Sequence, residues 1–228
     1  NAGEKVFKEK YPVRVLVGGH LAPWVLLVRE DAGITSWKNL KGKRIANAPP
    51  GGLIAEEVWA TALEYYGLTP KDLATVTKIP NVNETVEQIK NKQLDGLFWP
   101  TARGGMAPFI DLARSTKTRW LGFDEEAIKH ILAKYPFLVR AEVPVGTNEG
   151  QANSYVSVSD RVHIVAMEKM DEEVAYNLTK AIVENNRFAE VMPAGSEWTR
   201  ESAVASKGTL EYHPGAIKYY KEIGIWDK

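Results

Sequence analysis

The stretch "RIANAPPGGLIAEEVWATALEYYG" (44–67) decides the fold. It opens with a short strand signal (44–48), turns at a run of prolines and glycines (49–52), and continues with apolar residues at helical spacing until Gly67. The predicted helix carries one apolar face, made of Ala55, Val58, Trp59, Ala62, Leu63 and Tyr66. A strand, a glycine-rich turn and a helix in this order are typical of α/β proteins.

The same order of elements recurs further along the chain. A strand signal at 74–79 leads into a helix that we expect to begin with Asn83 as its N-cap. A second strand signal (95–99) is followed by a second glycine-rich turn (101–105) and by a helix at 107–115. This alternation predicts a mostly parallel sheet that is covered by helices on both faces.

The remaining strand signals lie near the two ends of the chain. Apolar, β-branched runs occupy 13–20 and 24–30, and the second run is predicted to be buried on both faces. An extended run at 155–167 exceeds the usual strand length of about five or six residues, so we expect it to leave one sheet and enter another. From Asp171 onward the pattern is helical.

These patterns predict an α/β fold of two lobes, each a mostly parallel sheet flanked by helices, joined by crossing strands. Lobe 1 is expected to comprise 1–30 and 159–228, and lobe 2 to comprise 31–158.

Composition excludes several classes of protein. The 228 residues include 29 Lys and Arg against 29 Asp and Glu, so the basic surface of a nucleic-acid-binding protein is not expected. The absence of cysteine excludes disulfides, thiolate nucleophiles and cysteine-ligated metals, and it suits an oxidising compartment such as a periplasm. No apolar run is long enough to span a bilayer and no leader precedes Asn1, so we expect a soluble chain whose signal peptide has been removed.

Catalytic and metal-binding motifs are missing. The chain has no Gly-x-Ser-x-Gly, no phosphate loop, no His-Glu-x-x-His and no dinucleotide fingerprint. His20, His130 and His163 have no partner at metal-ligand spacing, and the paired acids lie in first turns of helices, where the helix dipole accounts for them. We therefore predict no catalytic residue, no metal and no cofactor.

The two glycine-rich turns are the candidate ligand site. Each lies between the end of a strand and the start of a helix, where free backbone N–H groups and the helix dipole favour anions. Arg103 would hold a carboxylate through two hydrogen bonds, with Thr101 beside it, while Trp99 would pack against an apolar ligand body. The alternative is that both turns are only tight connections and that Arg103 is a solvated surface residue. The predicted ligand-binding residues are Pro50, Gly51, Gly52, Leu53, Trp99, Thr101, Arg103, Asn148 and Gln151.

Five segments carry a resemblance to a known family. They are "SWKNLKGKRIANAPPGG" (36–52), "QIKNKQLDGLFWPTARGGMAP" (88–108), "VPVGTNEGQ" (143–151), "DEEVAYNLTKAIVEN" (171–185) and "YHPGAIKYYKEIGI" (212–225). Along nearly all its length the chain resembles the TAXI family of solute-binding proteins, which serve TRAP transporters.

The resemblance implies a periplasmic-binding-protein fold of the second type. Its two lobes would close on a small carboxylate or amino acid in the cleft between them and deliver it to the TRAP membrane permease subunits. The protein would then be periplasmic, or membrane-associated outside a Gram-positive cell. In this family His213 would be a turn or packing residue.

The chain departs from the family pattern in two places. Gly51, Gly52 and Leu53 stand where the family often has Ser-Gly-Thr, which leaves backbone N–H groups as the expected ligand contacts. Family members also begin with a segment that this chain lacks, so we expect an unpaired sheet edge near Val13–Val17. Two other functions stay open: a periplasmic enzyme of similar bilobal fold, and the ligand-sensing module of a signalling receptor.

Overall fold

The computed structural model describes residues 11–49, 52–185 and 187–227. The described residues of Asn1–Leu21 and Arg161–Lys228 form one compact unit, here called unit 1, and those of Ala22–Asp160 form a second, called unit 2. Pro50 and Gly51, two of the predicted ligand-binding residues, lie outside the described residues.

Strands and helices alternate along unit 2, and helices dominate the later part of unit 1. The strands are β1 (Val13–Arg29), β2 (Arg44–Asn47), β3 (Thr75–Thr77), β4 (Gly96–Pro100), β5 (Thr118–Leu121), β6 (Val139–Val143) and β7 (Tyr155–Met167). The α-helices are α1 (Leu53–Tyr65), α2 (Val82–Lys90), α3 (Ala107–Ser115), α4 (Glu125–Lys134), α5 (Glu172–Glu184), α6 (Phe188–Val191), α7 (Arg200–Val204) and α8 (Pro214–Glu222).

The sheet of unit 2 is mixed. Strand β2 runs parallel to β3 and to β4, with Asn47 opposite Phe98. Strand β1 is antiparallel to β4 and also to β5, and β6 is antiparallel to β7. The predicted α/β class with flanking helices is confirmed, whereas the expected mostly parallel pairing is wrong. The reason is that β1 runs through unit 2 in the direction opposite to its neighbours β4 and β5.

The lobe boundaries differ from those predicted. Residues 22–30 were expected in lobe 1, but they belong to unit 2 because this part of β1 pairs with β4 and β5. Residues 159–160 also belong to unit 2. Both long strands, β1 and β7, contain residues of both units, as expected of crossing strands.

The core of unit 2 lies on both faces of its sheet. Val25 and Leu27 of β1 pack on one face and Leu26 and Val28 on the other, and all of them are fully buried. This two-sided burial explains why the strand has no polar alternation. Helices α1 and α4 cover one face, with an aromatic cluster of Trp24, Trp37, Trp59, Phe98 and Phe123. Helices α2 and α3 cover the other.

Unit 1 is built from the first part of β1, the last part of β7 and helices α5 to α8. The edge near Val13–Val17 was expected to be unpaired, but Val15 N donates to Glu211 O (2.9 Å) and His213 N donates to Val15 O (2.9 Å). A segment far along the chain therefore occupies part of this edge. The same part of β1 makes a parallel bridge between Val15 and Tyr212, and β1 and β7 are hydrogen-bonded neighbours in the sheet.

Two local predictions need correction. The N-cap of α2 is Asn81, whose Oδ1 accepts from Asn83 N (2.9 Å), so Asn83 is inside the helix. The runs 13–20 and 24–30 form one continuous strand of 17 residues because Pro23 and its neighbours stay extended. The prediction for His213 is confirmed: its Nδ1 accepts from Gly215 N (3.2 Å) and so caps α8.

Candidate functional site

The two glycine-rich turns leave the same edge of the unit 2 sheet. Strands β2 and β4 are adjacent and parallel, so their carboxyl ends lie side by side. The turn after β2 leads into α1, and the turn after β4 leads into α3. We call this region, formed by the carboxyl ends of β2 and β4 and the turns that follow them, the carboxyl edge. Ligands of open α/β sheets bind at such edges.

The two helices that begin at the carboxyl edge, α1 and α3, differ from other helices of similar length in how their first turn is capped. Helices α2, α4, α5 and α8 each begin with a side chain that accepts hydrogen bonds from their first turn. Within the described chain, the N-cap residues of α1 and α3, Gly52 and Met106, supply no such bond. Because first-turn N–H groups have no partner inside the helix, these two N-termini can accept an anion.

Two buried polar side chains mark the same edge. Asn47 ends β2 and Thr101 follows β4, and their exposed fractions are 3% and 2%. Asn47 Oδ1 and Thr101 Oγ1 have no hydrogen-bond partner among the described residues. A buried polar atom without a partner costs about 1–3 kcal/mol, so a bound molecule that pairs with these oxygens would be stabilised. Ala48, next to Asn47, has a φ of 57°, a conformation that residues other than glycine rarely adopt.

The second turn also contacts the loop that follows β6. Gly104 N donates to Thr147 O (3.2 Å), which places the loop 144–151 beside the turn 101–105. Asn148 and Gln151 are both buried in this loop, with exposed fractions of 5% and 4%. The structure therefore brings these two predicted residues next to the second turn.

The other predicted site residues occupy less enclosed positions. Gly52 and Leu53 are half-buried at the start of α1, and Gly52 N donates to Pro49 O (3.0 Å). Trp99 is half-buried in β4, opposite Val25 of β1, and packs against the core under α2 and α3. Arg103 is exposed in the second turn.

Asn47 lies at the carboxyl edge and is not among the residues predicted from the sequence. In "RIANA" it reads as the polar end of a short strand, and its burial depends on the neighbouring strands that enclose it. The one local signal is an amide side chain immediately before a proline-rich turn that leads into a helix.

Burial shifts the pKa values of several titratable side chains, among them one aspartate and two histidines. Burial raises the pKa of Asp160, in β7, to about 6. Burial also lowers the pKa values of His20 and His163. His20 Nδ1 accepts from Trp198 Nε1 (2.8 Å), and His163 Nε2 lies 2.7 Å from Ser206 Oγ, so both histidines have a structural partner within unit 1.

Replacing Asp160 by asparagine is expected to stabilise the protein by about 1–3 kcal/mol at neutral pH. The folded-state pKa of about 6 lies above the unfolded value of 3.8, so the folded state binds the proton more tightly. The contribution of Asp160 to stability is therefore fully present below the unfolded pKa and is lost as the pH rises through the folded pKa. Urea unfolding at several pH values in the acidic range measures this dependence. In the Asp160→Asn protein, the free energy of unfolding should no longer carry this fall with rising pH. The exposed Asp111→Asn is the control, and an equal gain there would contradict the role of burial.

Among the described residues, no three His, Asp and Glu side chains are grouped so that they could hold a metal ion. None of the described helices combines the length and the apolar character that a membrane crossing requires.

One protein family matches almost the whole chain. The model of the NMT1-like family matches residues 1–224, so the chain belongs to the NMT1-like family.

Solved structures of similar fold are more distant. The substrate-binding protein of an ABC uptake transporter from Streptococcus pneumoniae, with bound histidine, is 15% identical with a TM-score of 0.42; the match covers 84% of this chain and 63% of that one. A putative periplasmic sulfonate-binding protein from Methylobacillus flagellatus is 15% identical with a TM-score of 0.43, covering 95% and 63%. A histidine kinase sensor domain with similarity to periplasmic binding proteins is 13% identical with a TM-score of 0.41, covering 87% and 62%. The chain thus spans less than two thirds of each.

Proposed function

We propose that this protein is an extracytoplasmic solute-binding receptor that takes a small carboxylate or amino acid at the carboxyl edge of unit 2. The observation that carries the proposal is the pair of helices α1 and α3, which follow adjacent parallel strands and begin without a capping side chain from their N-cap residues. Two buried oxygens without protein partners in the described chain, Asn47 Oδ1 and Thr101 Oγ1, lie at the same edge. Such a site offers an anion backbone N–H groups and a helix dipole.

Each predicted residue has a role in this proposal. The start of α1, around Pro50–Leu53, and the turn that holds Thr101 and Arg103 would bind the carboxylate. Trp99 would pack against the apolar part of the ligand, and Asn148 and Gln151 would line its far side. All of these contacts are hydrogen-bonding, ionic or apolar, and none needs a nucleophile or a base. The ligand would therefore be bound and released unchanged.

The transporter and the compartment are part of the same proposal. Membership of the NMT1-like family, together with the five TAXI-like segments, supports a receptor that passes its ligand to the permease subunits of a TRAP transporter. Such a receptor works in the periplasm or at the outer face of the membrane.

A ligand titration tests the proposal. A panel of organic acids and amino acids is added while the melting temperature and the tryptophan fluorescence are followed. At least one carboxylate should raise the melting temperature, since a ligand that binds only the folded state stabilises it. The bound ligand is then recovered and identified by mass spectrometry, because a chemically changed ligand would favour the enzyme alternative. A panel without any response would remove the carboxylate proposal.

A matched pair of variants locates the site. Thr101→Val removes a buried hydroxyl at the carboxyl edge and is expected to weaken binding about tenfold through loss of a hydrogen bond. Tyr219→Phe removes a second buried hydroxyl that has no partner in the described chain, but Tyr219 lies in α8 of unit 1. Tyr219→Phe should leave Kd unchanged. Equal losses in both variants would place the ligand elsewhere.

A further inference from the structure

A cavity of about 560 Å³ opens beside the second glycine-rich turn in unit 2. The loop 146–152 forms most of its wall, and Gly104 and Ile110 complete it. One lining side chain, Glu149, is charged, and its carboxylate lies 3.6 Å from Arg114 Nε. The polar character of the cavity therefore depends on how the buried amides of its wall are oriented.

Hydrogen bonds fix the orientation of the Gln151 amide. Its Nε2 donates to Pro144 O (2.8 Å) and to Asn153 O (2.9 Å). Carbonyl oxygens only accept, so this end of the amide must be the NH₂ group. Gln151 Oε1 is consequently an acceptor, and it takes a hydrogen bond from Asn148 N (3.1 Å).

The Gln151 amide in turn fixes that of Asn148. Asn148 Nδ2 donates to Gln151 Oε1 (3.2 Å), and the reverse orientation would set two carbonyl oxygens against each other. Asn148 Oδ1 is therefore turned away from Gln151, and it has no partner among the residues that the structure describes. It faces the second turn, because a Cβ built on Gly105 would lie 3.6 Å from it.

We infer that Asn148 Oδ1 selects ligands that carry an N–H or O–H donor in addition to their carboxylate. A carbonyl oxygen cannot pair with a carboxylate oxygen, whereas it pairs with an amine or a hydroxyl. A site built to bond such a group discriminates strongly against the analogue that lacks it, because its own buried atom is then left unpaired. This inference rests on the proposed function and narrows its ligand class to amino acids and hydroxy acids.

The first test uses ligands of matched skeleton on the unaltered protein. The three series are alanine, lactate and propionate; aspartate, malate and succinate; and phenylalanine, phenyllactate and hydrocinnamate. In the series that binds, calorimetry should give Kd values for the amine and hydroxyl members at least about tenfold lower than for the member without a donor. A preference for the amine alone, with the hydroxyl no better than the bare acid, would overturn the inference.

The second test removes the acceptor. Asn148→Leu keeps a branched side chain of similar size but has no oxygen, and it should reduce the preference within the binding series to less than about threefold. Asn83→Leu, the same exchange at an exposed position of α2, is the control and should keep the full preference. A preference that persists in a folded Asn148→Leu protein would overturn the inference. Should that variant not fold, the ligand series on the unaltered protein decides by itself.

The two levels of the proposal fail differently. If all three members of a series bind with equal Kd, the donor requirement is wrong and the receptor proposal stands. If no member of any series binds, the receptor proposal itself is wrong, and the inference falls with it.

Discussion

Replacing Asp95 by alanine is expected to lower the free energy of unfolding by about 3–5 kcal/mol. Asp95 directly precedes β4, and its exposed fraction is 6%. Its carboxylate accepts from Arg29 Nη2 (3.0 Å), from Arg44 Nη2 (2.7 Å) and from Arg44 N (2.8 Å). Arg29 has an exposed fraction of 5%, so removal of the carboxylate leaves a buried cation without its main counter-charge.

The loss should be large because Asp95 joins three strands. Arg29 ends β1, Arg44 begins β2, and Asp95 N itself donates to Arg44 O (2.8 Å). Arg29 N also donates to Asp95 O (3.0 Å), and Arg29 Nε donates to Leu94 O (3.2 Å). One residue thus fixes the end of the sheet opposite the carboxyl edge.

Unfolding in urea at neutral pH measures this effect, with Asp31→Ala as the control. Asp31 also pairs with Arg29, but its side chain is half exposed, so its loss should cost much less than the loss of Asp95. Similar costs for the two variants would show that burial does not set the contribution of Asp95.

The stabilisation that Asp95 provides is expected to depend on pH. Burial alone would raise the pKa of Asp95, but the hydrogen bonds and charge of Arg44, aided by Arg29, hold it below its ordinary value. A carboxyl with a depressed folded-state pKa stabilises the fold above its unfolded pKa and loses that contribution as the pH falls through the folded one. The stability difference between the unaltered protein and Asp95→Ala should therefore be largest at neutral pH and shrink in acid.

Much of unit 2 could be predicted from the sequence because its signals are local. The strand and the helix of 44–67 are encoded within consecutive residues, and the structure places both as expected. The direction of β1 could not be predicted in the same way. Its apolar run reads alike for a parallel or an antiparallel neighbour, and its pairing with β4 joins residues far apart in the chain. The apolar periodicity of the sequence therefore could not predict that the sheet is mixed.

In the candidate site, too, the features encoded by local sequence could be predicted, and those that depend on tertiary packing could not. The rule that ligands bind at helix starts after parallel strands predicts the region of Gly52 and Thr101 without any knowledge of packing. The contact between Gly104 and Thr147 depends on how a distant loop folds back, so Asn148 could be proposed only as a residue of the loop before β7. Asn47 was missed because its burial is a tertiary property that a short strand does not reveal.

Replacing Gly215 by alanine is expected to destabilise the protein by about 2–3 kcal/mol. Gly215 lies in the first turn of α8, within the family-like segment "YHPGAIKYYKEIGI", where alanine would normally favour the helix by about 1 kcal/mol. A Cβ at this position, however, would overlap the carbonyl oxygen of Glu172 and lie 2.7 Å from Tyr176 N. Helix α8 approaches the backbone of α5 closely, so the added methyl group must push the two helices apart.

Thermal and urea unfolding of Gly215→Ala decide which of these two effects is larger. Lys221→Ala, an exposed substitution on the same helix, reports helix propensity without a clash and should change stability by less than about 0.5 kcal/mol. A Gly215→Ala protein as stable as the unaltered one would mean that α5 and α8 can separate at little cost. The expected loss instead explains the glycine of the His-Pro-Gly-Ala sequence: His213 caps the helix, Pro214 begins it, and Gly215 allows α5 to pack directly against it.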